Sequence, residues 1–457
     1  MAIELRTIEQ RALDEDRAAG HRNDAFRRDD GDPASWDEPA SLVERFASHL
    51  VPITDEELEN ARDPHPHAFQ DGETGLAPVG EVTVVAGAGR EGKTAVMFSL
   101  AVDYVLGFHL AGMAPPPDRS VLVYSSEDDR AQYARRIGAH LSLLGGADRQ
   151  RALERVIVPD LSAEGMECFA TLLHVVDRSL VESVAVAAII ETLRPRMLEP
   201  LPPGLLIFET VSTLSDADED NRSFRALVLA LRRVARSLRV AVVVVHHTSQ
   251  QAASSLPELN LRVADIRGGT ALAFNTRQCL MVVNLGSTDD PFPEQDMRAR
   301  LRDFAVPGFE GRASALVCLD SSKGVDPPPI FFRWETTPYG PALRAVPVLP
   351  DLDGFRWRRL LAHLRAERAE ERREAKNDAK EAGIAEVVRQ VRNLSAQGRQ
   401  PTVRAVSDAA GRSPTWAKPY LAAAVSRGTL SCARERVPRV RDRVDVYRLI
   451  DLAGTVK

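Results

Sequence analysis

The sequence predicts an α/β fold, in which a mostly parallel sheet is flanked by helices and followed by a small C-terminal winged helix-turn-helix domain. The first observation is a series of apolar runs that alternate with helical patterns between residues 76 and 350. Runs of Val, Leu and Ile without polar alternation suit strands that are buried on both faces, as parallel sheets require. The second observation is a change after residue 384 to short helical segments and two short strands.

The predicted core strands are the segments EVTVVAG, SVLVYSS, RVIVPD, GLLIFET, VAVVVVHH, CLMVVNL and SALVCLD. The chain has 457 residues, which is enough for about two to three domains. We expect a flexible charged leader over 1–75, the α/β core over 76–350, a charged connecting helix over 351–383 and the small domain over 384–457. One short amphipathic helix is expected in the leader, around Leu42 to Leu50.

Composition excludes several classes of protein. No apolar run approaches the roughly 20 residues that span a bilayer, and the N-terminal segment lacks the apolar core of a signal peptide. The four cysteines lie far apart without a CxxC pair, which argues against a zinc knuckle and a disulfide framework. We therefore expect a soluble cytoplasmic protein without a membrane partner.

Charge is distributed unevenly along the chain. Residues 384–457 carry 14 basic and 6 acidic residues, a net charge of +8. The remaining residues carry 45 basic (59 − 14) and 59 acidic (65 − 6) residues, a net charge of −14. A basic tail on an acidic body favours a polyanion as the partner of the tail alone. The alternative is an ordinary drift of charge between domains.

The motif GAGREGKT follows the first predicted core strand and precedes a helical pattern. This strand–loop–helix context is the one in which a phosphate-binding loop functions. Its glycines let backbone N–H groups surround a phosphate, Lys93 can reach the β- and γ-phosphates, and the Thr94 hydroxyl can bind Mg²⁺. ATP and Mg²⁺ are therefore the expected ligands, and the alternative is a mere glycine-rich turn. The predicted nucleotide-binding residues of this loop are Gly87, Ala88, Gly89, Arg90, Glu91, Gly92, Lys93, Thr94 and Ala95.

Three carboxylates, Glu127, Asp128 and Asp129, follow the next strand. In an open parallel sheet, ligands bind at the carboxyl ends of the strands. A carboxylate at that edge can orient and deprotonate the water that attacks a γ-phosphate. Glu127 comes first after the strand and is the predicted catalytic base. The alternative is a set of charges favoured by a helix N-terminus.

Two later strands also end in polar residues. GLLIFET resembles a Walker B strand, in which the closing acid, usually Asp, holds Mg²⁺; here it is Glu209. His246 and His247 end the most apolar strand, and His247 is predicted to contact the γ-phosphate and sense its loss. The alternatives are an acid that merely ends a strand and histidines that only form strand-end hydrogen bonds.

These motifs, in this order and spacing, resemble those of the RecA-like ATPases, and RepA-type hexameric replicative helicases in particular. The resemblance covers about residues 78 to 345 and implies a ring or filament of subunits, of which a hexamer is one form. It implies that RGGTALAFNTRQ supplies an arginine finger to a neighbouring subunit, with Arg277 as first candidate and Arg267 as second. It also implies that Lys323 acts as a second cation across the interface. Glu209 in place of Asp, and Gln250 where the family often has Lys, depart from the pattern.

The tail predicts three helices and a two-stranded hairpin, which together make a winged helix. Ser413 is the expected N-cap of the third helix, with Pro414 at its first position. In a winged helix, this third helix enters the major groove of DNA and the hairpin contacts phosphates. The alternative is a winged helix that docks a protein. The predicted DNA-binding residues are Arg412, Lys418, Arg434, Arg436, Arg439, Arg441 and Arg443.

The sequence therefore predicts an ATPase that handles DNA, as a helicase or a helicase-like replication or recombination factor. The alternative is a DNA-bound regulatory ATPase that uses nucleotide as an assembly switch without translocating. A third interpretation is a scaffold that binds nucleotide without turnover.

Overall fold

The computed structural model describes residues 51–125, 127–161, 163–164, 166–176, 179–218, 220–249, 252–267, 275–293, 296–346, 356–436 and 442–450. The chain divides into two compact units after Asp63. In the described part of the first unit, helix α1 (Asp55–Asn60) begins with a capping box between Thr54 and Glu57. The helix expected around Leu42 to Leu50 lies outside the described residues.

The second unit contains fifteen strands within its described residues. They are β1 (His67–Asp71), β2 (Thr74–Pro78), β3 (Val82–Gly87), β4 (Ser120–Ser125), β5 (Val156–Ile157), β6 (Leu173–Val176), β7 (Ser179–Glu182), β8 (Pro203–Glu209), β9 (Ala241–His247), β10 (Gln278–Gly286), β11 (Ala313–Ser321), β12 (Ile330–Thr337), β13 (Gly340–Ala345), β14 (Leu430–Arg436) and β15 (Arg443–Leu449).

Ten helices of the described chain belong to the same unit. They are α2 (Lys93–Leu106), α3 (Arg130–Leu141), α4 (Gly146–Arg155), α5 (Val184–Arg196), α6 (Asn221–Leu238), α7 (Ala252–Ser255), α8 (Met297–Ala305), α9 (Trp357–Ala396), α10 (Val403–Ala409) and α11 (Pro414–Ser426).

A nine-stranded sheet, in the described part of the chain, forms the core in the order β13-β12-β11-β10-β3-β9-β8-β4-β5. Every pairing from β10 to β5 is parallel, whereas β11, β12 and β13 add to β10 by antiparallel pairings. Each of the seven predicted apolar runs contributes one strand of this sheet. The predicted α/β fold with a mostly parallel sheet is therefore confirmed.

Alternation along the strands sends side chains into two separate apolar layers. In β9, Val242 and Val244 pack on one face, together with α5, α6 and α8. Val243 and Val245 pack on the other face, together with α2 and α3. All four valines are almost fully buried, which explains why this strand has no polar residue before its end.

Two expected boundaries differ from the structure. Residue 75, the expected end of the leader, lies inside the β1–β2 hairpin, where Phe69 and Leu76 are buried in the apolar layer of α2. The expected division at 383/384 falls inside α9, which runs without a break from Trp357 to Ala396. Helix α9 contributes Trp357, Leu360 and other residues near its start to the core, so the connecting helix and the first tail helix are one element.

The tail forms its own apolar cluster from the last turns of α9, α10, α11 and the β14–β15 hairpin. Helix α11 begins as expected, because the Ser413 hydroxyl accepts a hydrogen bond from the Trp416 backbone N–H and Pro414 occupies the first turn. Among the residues described, no helix has both the length and the apolar character that a membrane crossing needs.

Candidate active site

The phosphate loop lies at the carboxyl end of β3, the strand between β9 and β10 in the sheet. Gly92 closes the loop with a φ of +92°, a conformation that favours glycine, and the backbone of α2 begins at the next residue. The Lys93 side chain is buried, and its Nζ donates to the Ala88 carbonyl at 2.9 Å across the loop. Apart from its two chain neighbours, no described residue has an atom within 4 Å of a Cβ built on Gly89, which leaves that side of the loop open to a phosphate.

Thr94 and Glu209, the two predicted Mg²⁺ ligands, are in direct contact. The Thr94 hydroxyl donates a hydrogen bond to Oε1 of Glu209, which is 2% exposed at the end of β8. Burial raises the pKa of Glu209 to about 7, while the Thr94 hydrogen bond and the charge of Arg136 oppose that shift. A buried carboxyl that is costly to ionise beside a threonine hydroxyl fits a divalent cation, whose charge would keep the carboxylate ionised.

Strand alternation explains which polar strand ends share the face of α2. Leu205 and Ile207 of β8 point to the layer that contains α2, so Glu209 does too. The same parity in β9 puts His247 on the α2 face, and His247 pairs with Gly87 of the phosphate loop. The neighbouring His246 is fully buried and its Nε2 donates to the Arg267 carbonyl at 2.9 Å. Burial lowers the pKa of His246 to about 3, so His246 stays neutral and structural.

The three carboxylates after β4 have three different surroundings. Asp129 is the N-cap of α3 and accepts a hydrogen bond from the Gln132 backbone N–H at 2.7 Å. Asp128 forms an ion pair with Arg136 at 2.6 Å. Glu127 is exposed, and its negative charge acts on buried Lys93. The alternative interpretation, a charge favoured by a helix N-terminus, therefore applies to Asp129. The carboxylate of Glu127 is exposed and close enough to the phosphate loop for its charge to act on Lys93.

Sequence reasoning missed a second ring of residues around the loop. Arg136 on α3 bridges Asp128 and Glu209, the latter at 3.9 Å. On the other side, Trp334 of β12 lies so close to Gly92 that a Cβ there would stand 2.4 Å from the indole ring. Arg312 lies over this ring at 4.5 Å and donates to the Arg90 carbonyl of the loop at 2.9 Å. Trp334 and Arg312 thus pack against the loop, while Arg136 lies beside the carboxylates at its other side.

Glu91 joins the loop to β10 from inside the loop. Its carboxylate accepts a hydrogen bond from the Asn284 backbone N–H. Burial raises the pKa of Glu91, and this effect outweighs the Asn284 hydrogen bond and the charges of Arg298 and Arg312, which lower it. The loop is thus attached to β10 as well as to β3.

Residues 48–253 match the model of a family described as an AAA domain. The match contains the phosphate loop, Glu127, Glu209 and His247, and it ends before Arg277. A separately solved ATPase domain is similar in structure, at 13% identity, over 68% of this chain and 99% of that chain, with a TM-score of 0.39. A DnaB-like replicative helicase, solved with its interactions with primase, is similar at 13% identity over 66% of this chain and 70% of that chain, with a TM-score of 0.40. No curated protein matches the sequence.

Arg277 and Lys323, the two cations predicted to act in trans, lie at the opposite edge of the sheet from the phosphate loop. Arg277 directly precedes β10, whose first residue pairs with Thr83 near the start of β3. Four residues of strand, about 13 Å, separate Thr83 from Gly87. Ser322, next to Lys323, donates its backbone N–H to the Arg277 carbonyl at 2.9 Å, so the two cations share one edge.

Arg267, the second finger candidate, lies at the other edge. Its backbone N–H donates to the His247 carbonyl at 2.9 Å, and its carbonyl accepts from His246. The backbone of Arg267 thus belongs to the phosphate-loop edge of its own subunit. Gln250 lies outside the described residues.

The predicted DNA-binding residues in the described tail are all exposed. Arg412 precedes α11, and its guanidinium lies 6.0 Å from the Trp416 ring. Arg434 pairs with Asp445 at 3.7 Å. Arg436 and Arg443 stand directly opposite each other where β14 ends and β15 begins. The five are Arg412, Lys418, Arg434, Arg436 and Arg443, whereas Arg439 and Arg441 lie outside the described residues.

Proposed function

We propose that this protein binds and hydrolyses ATP and uses the energy to act on DNA, as a helicase or helicase-like replication factor assembled from several copies of the chain. The observation that carries the proposal is the contact between Thr94 and buried Glu209, beside buried Lys93 at the carboxyl edge of a parallel sheet. This is the arrangement that nucleotide phosphates and Mg²⁺ need. The AAA-domain match over 48–253 supports it.

Each residue of the site has a distinct task in this proposal. The N–H groups of the loop and Lys93 bind the β- and γ-phosphates, and Thr94 and Glu209 hold Mg²⁺. When bound, Mg²⁺ neutralises charge on the phosphate oxygens. Glu127 orients the attacking water and accepts its proton, since Asp128 pairs with Arg136, Asp129 caps α3, and the charge of exposed Glu127 acts on Lys93. His247, paired with Gly87, responds to the loss of the γ-phosphate.

Turnover in this proposal needs a second copy of the chain. Arg277 and Lys323 lie at the edge opposite their own phosphate loop, about 13 Å away along β3, so neither can reach a γ-phosphate held there. A neighbouring subunit that presents this edge would bring both cations to the phosphate. A cation at that position stabilises the charge of the transition state. A ring or a filament satisfies this geometry.

DNA binding is proposed for the tail. Two arginines directly opposite each other in an antiparallel pair are destabilising by themselves. Arg436 and Arg443 form such a pair, and Lys418 lies exposed on α11. A polyanion relieves this repulsion, which favours phosphate contacts by the hairpin and groove contacts by α11.

The test compares ATP hydrolysis by the full chain without DNA, with single-stranded DNA and with duplex DNA. A translocating motor predicts stimulation by single strands and separation of a duplex with a single-stranded tail. Lys93→Ala serves as the blank, because it removes the phosphate-loop cation. A full chain that hydrolyses ATP no faster than this blank in all three conditions contradicts the proposal.

A second candidate function is a DNA-bound regulatory ATPase that switches assembly with nucleotide. The observation that favours it is Glu209, which is longer than the usual Asp and has a pKa raised to about 7, so that it is partly protonated at neutral pH without a cation. Such a site favours slow turnover. This candidate predicts preference for particular duplexes and no stimulation by single strands.

A further inference from the structure

Glu81, immediately before β3, is surrounded by three arginines. Arg236 Nη2 lies 2.7 Å from Oε1, and Arg232 Nε lies 2.9 Å from Oε2. Arg277 approaches Oε2 with its Nε at 3.7 Å. The Glu81 side chain is only 7% exposed, whereas that of Arg277 is 39% exposed. The buried carboxylate of Glu81 thus lies beside the Nε atom of the partly exposed Arg277 side chain.

The charges in this cluster do not balance. Three guanidinium groups face one carboxylate, which leaves a surplus of two positive charges. Burial alone raises the pKa of Glu81. The Arg236 hydrogen bond and the charges of Arg232 and Arg277 together lower it by more, so the net shift is downward. Because Arg232 and Arg236 already compensate the charge of Glu81 at short range, the positive charge of the more distant Arg277 remains available to attract another anion.

The backbone on both sides of this cluster is also fixed. The Arg277 N–H donates to the Val82 carbonyl at 3.0 Å, and the Arg277 carbonyl accepts from Ser322. Lys323 follows Ser322, and its carbonyl accepts a hydrogen bond from Nε2 of His67 at 3.0 Å. His67 is a buried histidine of β1. The segment that carries Arg277 and Lys323 is therefore held in place before any second subunit binds.

We infer that Glu81 is a positioning residue, which holds the Arg277 side chain ready for the terminal phosphate of a nucleotide bound to a second copy of the chain. This inference rests on the proposed function, in which Arg277 acts in trans. An unrestrained arginine loses rotamer entropy when it is ordered, and the Glu81 carboxylate 3.7 Å from the Arg277 Nε would reduce that loss by ordering the side chain beforehand.

The same strand then connects the two halves of the reaction. β3 begins next to Glu81 and ends at Gly87, the first glycine of the phosphate loop. In an assembly of identical subunits, each β3 would carry its own nucleotide at one end and, at the other, the arginine offered to its neighbour. A shift of the loop on nucleotide binding would be transmitted along six residues of buried strand to Glu81.

The first test is steady-state ATP hydrolysis by Glu81→Gln in the full chain. We expect kcat to fall at least about tenfold, because a misplacement of about 1 Å can cost 100-fold, with the KM for ATP changed by less than about twofold. The matched control is Glu182→Gln. Glu182 pairs with Arg233 on α6, the helix that also carries Arg232 and Arg236, and it does not contact Arg277. Glu182→Gln should keep wild-type kcat. Wild-type kcat in Glu81→Gln would overturn the inference.

The second test is complementation by co-expression of two differently tagged variants. Lys93→Ala subunits lack a working phosphate loop but keep Glu81 and Arg277. Mixed with them, Glu81→Gln subunits should regain turnover above the sum of the two variants alone, and Arg277→Ala subunits should behave in the same way. A simple folding defect in Glu81→Gln would give no rescue.

The mixing test distinguishes a failure of the Glu81 positioning role from a failure of the trans action of Arg277. If Arg277→Ala is rescued and Glu81→Gln is not, the positioning role of Glu81 is refuted and the trans action of Arg277 stands. If Arg277→Ala is not rescued, the proposed trans action fails, and the inference fails with it. If Glu81→Gln does not fold, the double variant Glu81→Gln/Arg232→Gln, which removes both buried charges, takes its place in the same mixtures.

Discussion

Replacement of Glu209 by glutamine should stabilise the nucleotide-free protein at pH 8 while it removes ATP turnover. Burial raises the pKa of Glu209 from 4.5 to about 7 in the folded chain. Below pH 4.5 the carboxyl is protonated in both the folded and the unfolded state, so it contributes no pH dependence. Above pH 7 it is ionised in both states, and the folded state bears the full cost of burying the charge.

The cost follows from the difference between the two pKa values. At 1.36 kcal/mol for each pH unit, the interval from 4.5 to about 7 corresponds to about 3 kcal/mol of stability, lost as the pH rises through that interval. Glutamine has nearly the same shape and no charge, so it avoids this cost and can still accept the Thr94 hydrogen bond. The predicted gain is about 3 kcal/mol at pH 8 and under about 1 kcal/mol at pH 5.

The assay is thermal unfolding of wild type and Glu209→Gln at pH 5 and pH 8, with a chelator and without nucleotide. At roughly 2 °C for each kcal/mol, the midpoint of the variant should rise by about 6 °C at pH 8. Glu182→Gln, at an exposed ion pair, controls for the loss of a glutamate. A variant that gains no more at pH 8 than at pH 5 would refute the reasoning about burial of this carboxyl.

Three further predictions concern the loop and the tail. Lys93→Ala should fold normally and lose ATP turnover, measured by phosphate release, because the buried ammonium is the loop's only lysine. Gly92→Ala should weaken ATP binding, measured with a fluorescent analogue, and Gly92→Ala/Trp334→Ala should restore it only partly, since removal of the ring clash leaves the unfavourable φ of +92°. Arg436→Ala should leave the unfolding midpoint unchanged or higher, because Arg443 opposite loses a like charge. In the same variant, duplex binding should weaken and its salt slope should fall by about 1, measured by fluorescence anisotropy; an unchanged slope would contradict a phosphate contact.

The parts that could be predicted from the sequence are those fixed by local spacing. GAGREGKT determines its own geometry because the strand, the loop and the helix are consecutive, and Glu209 and His247 follow from strand parity once a parallel sheet is assumed. The Ser413 cap of α11 is equally local. The β1–β2 hairpin also had a local signal, Gly72 at the start of the two-residue turn between Asp71 and Thr74, which the division at residue 75 overlooked.

The remaining features depend on contacts between distant parts of the chain. Trp334 reaches Gly92 only because β12 joins the sheet through β11 and β10, an order that no local pattern specifies. Arg136 and the Glu81 cluster likewise connect helices to strand ends. A partial signal existed for the cluster, because Arg232 and Arg236 are four residues apart and so share one face of α6. Their common carboxylate could not be identified without the fold.

Whether Lys93 and a trans-acting Arg277 drive ATP hydrolysis is decided by steady-state turnover of the full chain, with Lys93→Ala at the same concentration and with single-stranded DNA added to both. We expect turnover by the wild-type chain that the variant lacks, with a rate per subunit that rises with protein concentration as subunits supply Arg277 to one another. Equal rates in the two proteins, or a wild-type rate per subunit that does not change with concentration down to the monomer, would contradict it.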